Sequence, residues 1–156
     1  MGIFLIIVAA VVIAAYIIIK RKDPGILDYS DEANDIFIAG LAHHVGKKDV
    51  GYFTGVIGNE PDNPYDRKAM AIYHNQLGKI VGYVPAAILK EYRNWCGRRN
   101  CKCVGYIFFD GSSLRGRVRA YLPSLEQEKV VEDALEYLQT VAEHFGWPTE
   151  DVNLSI

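Results

Sequence analysis

Cysteine is scarce here and badly spaced for chemistry. Cys96, Cys101 and Cys103 are the only three in 156 residues. They form no C-x-x-C pair with partner histidines, which excludes the usual zinc frameworks, and an odd number excludes a fully paired disulfide scaffold. The expectation is reduced thiols packed as small apolar groups. Histidine is equally thin: His43 and His44 adjoin, but no Cys or carboxylate stands at ligand spacing. They read as a polar or ligand-facing surface, and no metal or cofactor is assigned. Catalytic patterns are missing as well. The chain has no nucleophile elbow, no phosphate-binding Walker loop, no H-E-x-x-H and no paired carboxylates in a recognisable setting. No catalytic residue is named, and the chain is expected not to be an enzyme.

Charge is absent from Gly2 to Ile19, eighteen residues that end in Lys20-Arg21-Lys22. As a helix this stretch would be roughly 27 Å long, enough to span a hydrocarbon core. A cleaved signal peptide carries its basic residues first and small residues at the cleavage site. Here the order is reversed, and Tyr16-Ile17-Ile18-Ile19 is bulky. Residues 1–22 are therefore expected to be a single-pass anchor in the lipid bilayer, with the basic cluster holding the rest of the chain in the cytoplasm. Residues 23–35 read as an acidic linker, five acids and no base, whose flexible reach is on the order of 20 Å.

The globular part is expected at 36–122. Ile36 to Leu41 reads as a first strand and Tyr52 to Gly58 as a second. Ala69 to Tyr73 and Lys79 to Val84 read as two more, joined by His74-Asn75-Gln76-Leu77-Gly78. Ala86 to Trp95 has helical spacing, stopped by Gly97. Cys101 to Phe109 and Leu114 to Leu122 flank the hairpin turn Asp110-Gly111-Ser112-Ser113. Arg115, Arg117 and Arg119 alternate with Leu114, Val118 and Ala120, which predicts either a solvated face or a stripe that pairs with successive phosphates. Residues 123–156 are expected to be an amphipathic helix and a tail. A capping box at Ser124 and Gln127 opens the helix, and Gly146 with Pro148 ends it. It either packs on the core or meets a partner, with Trp147 anchoring the tail.

Between the second and third strands lies Glu60-Pro61-Asp62-Asn63-Pro64-Tyr65-Asp66. Its prolines bar it from a strand interior, and strands on both sides give it a rigid base for display. Together with Ala69-Met70-Ala71-Ile72-Tyr73, Gly78-Lys79-Ile80-Val81-Gly82-Tyr83-Val84-Pro85 and the earlier Phe37-Ile38-Ala39-Gly40-Leu41, it closely resembles the HIRAN domain, over somewhat more than half the chain. That resemblance implies a mainly β fold with helices, a small OB-like β-barrel. It also implies a grip on the 3′ end of single-stranded DNA through the turn's asparagine, tyrosine and aspartate, here Asn63, Tyr65 and Asp66. A carboxylate can accept a hydrogen bond from a terminal 3′-hydroxyl, and a ring can stack on the last base. Asn and Asp in tight turns also bond their own backbone, and Tyr65 could cap the core, so a purely architectural turn is the competing reading.

The chain departs from the family's DNA-binding pattern at Ala42 and His43, where an arginine and a tyrosine are usual, and at Tyr83 for a histidine. Ala86 replaces a lysine, and Lys68 replaces an asparagine. Lys47, Lys48, Lys68, Arg115, Arg117 and Arg119 are candidates to replace the lost contacts. The nucleic-acid-binding set is thus Asn63, Tyr65, Asp66, Lys68, His43, Tyr83, Arg115 and Arg117. Charge is partitioned in the same sense: residues 36–122 carry thirteen Lys or Arg against six Asp or Glu, inside acidic flanks. The expected function is a membrane-tethered, non-catalytic module for single-stranded DNA 3′ ends. The alternative is a membrane-anchored protein-interaction module that uses the same barrel for an unknown protein partner.

Overall fold

The computed structural model describes residues 33–148. The expected anchor at 2–19, its basic cluster, most of the acidic linker and the tail beyond Pro148 lie outside them. No helix among the described residues is long and apolar enough to cross a membrane.

Among the described residues six antiparallel strands form one sheet: β1 (Ala33–Phe37), β2 (Gly51–Asn59), β3 (Met70–His74), β4 (Lys79–Tyr83), β5 (Cys101–Phe109) and β6 (Leu114–Tyr121). Their order is β1-β6-β5-β2-β3-β4. Among the described residues two α-helices accompany them, α1 (Leu89–Cys96) and α2 (Gln127–Phe145). The mainly β expectation holds. The closed barrel does not: β1 and β4 are edges that form no ladder with each other. They are linked only by an isolated bridge just past β1, where Ala39 and Tyr83 exchange both backbone bonds at 2.9 Å. The neighbouring Ile38 N–H still donates to Gly116 of β6 at 3.0 Å, so the sheet curls until its ends meet at one point. Gly82 permits that approach, because a Cβ there would run into Ile38 and the Ala39 carbonyl.

Strand alternation separates two apolar faces. Phe53, Ile57, Met70, Ile72, Val81, Cys103, Ile107 and Val118 point inward, with Tyr92 and Cys96 of α1 closing the cluster. Tyr52, Val104, Tyr106, Phe108 and Tyr121 point the other way, onto Val130, Val131, Ala134, Leu138 and Ala142 of α2. Burial of each larger aliphatic chain contributes about 1.5–3 kcal/mol, enough to dock a nineteen-residue helix. The amphipathic helix therefore packs on the sheet. Trp147 stacks on Phe108 at 4.5 Å, so it does anchor the chain after α2. All three cysteines are buried free thiols.

Several boundaries differ from expectation. The first strand begins at Ala33, inside the expected linker, because Asn34 and Asp35 are buried. Asp35 lies opposite Arg119 in the β1–β6 register, where its carboxylate accepts from Arg119 Nη1 at 3.1 and 3.3 Å. The α1 helix starts three residues late, since 86–88 form a turn off Pro85. The Ser124 capping box does not form: the N-cap of α2 is Glu126, with no side-chain cap. Gly97 and Gly146 end their helices in the left-handed conformation, as expected.

Candidate nucleic-acid interface

The turn between β2 and β3 is framed from within. Its base is closed by Glu60 N–H donating to Ala69 at 3.1 Å and Ala69 N–H donating to Asp66 at 2.9 Å. Asn63 is buried at its centre. Its Oδ1 accepts the backbone N–H groups of Tyr65 and Asp66, both at 3.0 Å, and its Nδ2 donates to Glu60 Oε2 at 2.7 Å. Both lone pairs of the amide oxygen and one amide proton are thus occupied within the turn. Asn63 positions its neighbours and has little left for a ligand.

What Asn63 fixes is presented outward. Tyr65 is 96% exposed, which removes the idea that its ring caps the core. Asp66 is exposed too. Its Oδ1 accepts the Lys68 N–H at 2.8 Å, and its Oδ2 carries no hydrogen bond among the described residues. Pro61, Asp62, Pro64 and Arg67 complete a shallow depression around Tyr65 and Asn63. The site offers one bare ring and one half-satisfied carboxylate on a stiff support.

Tyr83 stands behind the turn. Burial, followed by the adjacent Glu60 carboxylate, pushes its phenol pKa up. Its ring meets His44 edge-on at 5.5 Å, so Tyr83 joins the turn to the segment that follows β1. Glu60 touches both Asn63 and Tyr83, and its framing role was not foreseen. The only signal for it was its place three residues before Asn63.

The remaining expected residues lie elsewhere. His43 and Arg115 line a different depression with Phe37, Leu41 and Ser113, and Arg115 pairs with Asp110 at 3.0 Å. Arg117 is only 3% exposed. It sits over the Phe37 ring at 5.0 Å, its Nη2 donates to the Tyr137 hydroxyl at 3.2 Å, and Asp35 is 3.9 Å away. Arg119 is held between Asp35 and Asp133, each at 3.1 Å. The arginines do alternate along β6, but α2 and β1 cover the inner two, so the strand presents no open stripe. Lys68 is exposed and faces a cleft formed with Leu89, Lys90, Arg93, Asn94 and Arg98. The three cations after Lys68 were not singled out from the sequence, although Lys90 and Arg93 are three apart on one helix face.

No family model and no curated protein matches the chain. Among solved structures it is similar to the crystal structure of the HIRAN domain of human HLTF. The identity is 16%, the alignment covers 60% of this chain and 78% of that one, and the TM-score is 0.37.

Proposed function

We propose that this chain is a non-catalytic nucleic-acid-binding protein whose turn reads the 3′ end of a single strand. The observation that carries the reading is the fully exposed Tyr65 ring on a turn pinned by Asn63. A large aromatic left bare on a rigid support has no packing role and offers a stacking platform for a base. Beside it, Asp66 Oδ2 would accept the terminal 3′-hydroxyl. An anion at a nucleic-acid site repels phosphate, so it suits a strand that ends in a hydroxyl at that point. Asn63 and Glu60 hold the pair in place, and Tyr83 backs them. Residues 2–19 would tether the domain to the cytoplasmic face of a bilayer, with the working surface kept near the membrane.

The test is fluorescence anisotropy with the full chain in neutral detergent. The probes are a single strand ending in a 3′-hydroxyl and the same strand ending in a 3′-phosphate. A hydrogen bond to a charged group is worth about 1.5–3 kcal/mol, so the hydroxyl form should bind more than about tenfold tighter. Tyr65→Ala should cost about 1–3 kcal/mol of binding, and unfolding should move by less than about 0.5 kcal/mol because the side chain is 96% exposed among the described residues. Absence of binding at low salt would leave the turn as architecture and the protein-interaction reading in its place.

A further inference from the structure

Ion pairing sorts the cations of this domain into two groups. Lys79, Arg115, Arg117, Arg119 and Lys129 each lie within 4.0 Å of a carboxylate. Nine other Lys and Arg among the described residues have no such partner, and four of these, Lys68, Lys90, Arg93 and Arg98, line one cleft of about 400 Å³. Its other lining residues are Ala86, Leu89 and Asn94, so no acid lines it among the described residues.

The cleft is also built. Asn59, the last residue of β2, accepts from Arg93 Nη2 at 2.5 Å and donates through Nδ2 to the Arg98 carbonyl at 3.0 Å. One side chain therefore fixes both the helix and the loop behind it. Arg98 has φ 64° and is the only described non-glycine residue at positive φ. An arginine held in the left-handed region, directly after Gly97 with φ 59°, is strained where a glycine would not be. Lys68 joins the cleft to the turn, since its backbone is bonded to Asp66.

We infer that this cleft is the subsite for the backbone phosphates of the same strand, with Lys68, Lys90, Arg93 and Arg98 as their counter-charges. The inference rests on the end-reading proposal for its ligand. A strand whose last nucleotide sits at Tyr65 and Asp66 leads its next phosphodiesters past Lys68 toward α1. The acid of the turn meets the hydroxyl, and the acid-free cleft meets the anions.

The experiment measures anisotropy of the full chain in neutral detergent, with the 3′-hydroxyl and 3′-phosphate strands, from 50 to 200 mM salt. The chains compared are wild type, Lys90→Gln/Arg98→Gly and Asp66→Asn. Each lost phosphate contact lowers the single-strand salt slope by about 0.7. The double variant should lose about 1.4, so the drop in affinity over that salt range shrinks about sevenfold. Its preference for the 3′-hydroxyl should persist, whereas Asp66→Asn abolishes that preference. Arg98→Gly alone should hold or raise the melting temperature, which separates lost binding from lost folding. An unchanged slope in the double variant, with wild type still preferring the hydroxyl, overturns the cleft and spares the end-reading site. Equal binding of both strands with a reduced slope in the variant overturns end reading and keeps the cleft. If the substitutions change only uptake of phosphatidylserine into the micelles, the cleft serves a lipid headgroup and the inference falls.

Discussion

Replacing Asp35 by asparagine should cost this domain about 3 kcal/mol of stability. The carboxylate is 2% exposed, accepts from Arg119 and lies within ion-pair distance of Arg117, both on β6. Asparagine preserves the shape and removes the charge. Arg117 then keeps the Tyr137 hydroxyl and the Phe37 face, while its Nε and Nη1 have no acceptor among the described residues. Stranding one member of a buried pair typically costs about 3–5 kcal/mol. The lower end applies because Arg119 retains Asp133 at 3.1 Å. For a domain of this size about 4 °C of melting temperature accompanies each kcal/mol, so the shift is about 12 °C. Urea unfolding followed by tryptophan fluorescence reports it, since the chain has two tryptophans and Trp95 and Trp147 each pack against a core cluster. A companion variant, Asp35→Leu with Arg117→Met and Arg119→Met, removes all three charges and should recover most of the loss. An Asp35→Asn protein within about 0.5 kcal/mol of wild type, or a triple variant no better than the single, would refute the reasoning.

Further outcomes are expected elsewhere. Gly82→Ala should destabilise by about 1–3 kcal/mol or more, and hydrogen exchange at Ala39 and Tyr83 should accelerate as their bridge opens. Asn63→Ala should weaken single-strand binding as much as Tyr65→Ala does without touching the ligand, because Tyr65 and Asp66 lose their common acceptor; amide exchange at both should rise in parallel. His74 is buried against Phe53 and accepts the Leu77 N–H at Nδ1, and burial lowers its pKa below 6.5. The unfolded chain therefore binds this proton more readily, so the contribution is complete above pH 6.5 and is lost as pH falls through the lower folded value. His74→Gln should flatten that part of the stability profile in urea melts, and an unaltered profile would exclude His74 as its source.

The periodic elements were legible in the sequence because their residues answer to one neighbour each. Alternation in Cys101–Phe109 and the helical stripe from Val130 to Ala142 report a face, and a face suffices to name a strand or a helix. Asp35 shows where that stops. Its burial is tolerable only because register sets it opposite Arg119, and register is a property of two strands at once. From one strand alone an acid beside acids reads as linker. The β6 arginines fail for the same reason: their alternation is real, but which face α2 covers is decided by the far side of Val104, Tyr106 and Phe108. At the site, the motif located the turn and the sequence allowed both roles for Asn63. Bond by bond the architectural role occupies it, while Tyr65 and Asp66 are left to act. The cations of the cleft come from a turn, a helix and a loop that only folding assembles.

The strand order places the first strand of the domain beside the last, β1 against β6. On a ribosome β1 emerges early and must wait, unpaired, while nearly ninety further residues are made, on the order of ten seconds. During that interval Asp35 and Asn34 would be hydrated rather than buried, and the single charge of Asp35 would keep an otherwise sticky edge soluble. The carboxylate whose ion pair later holds β1 in place is thus also the group that keeps the nascent segment solvated until its partner strand arrives.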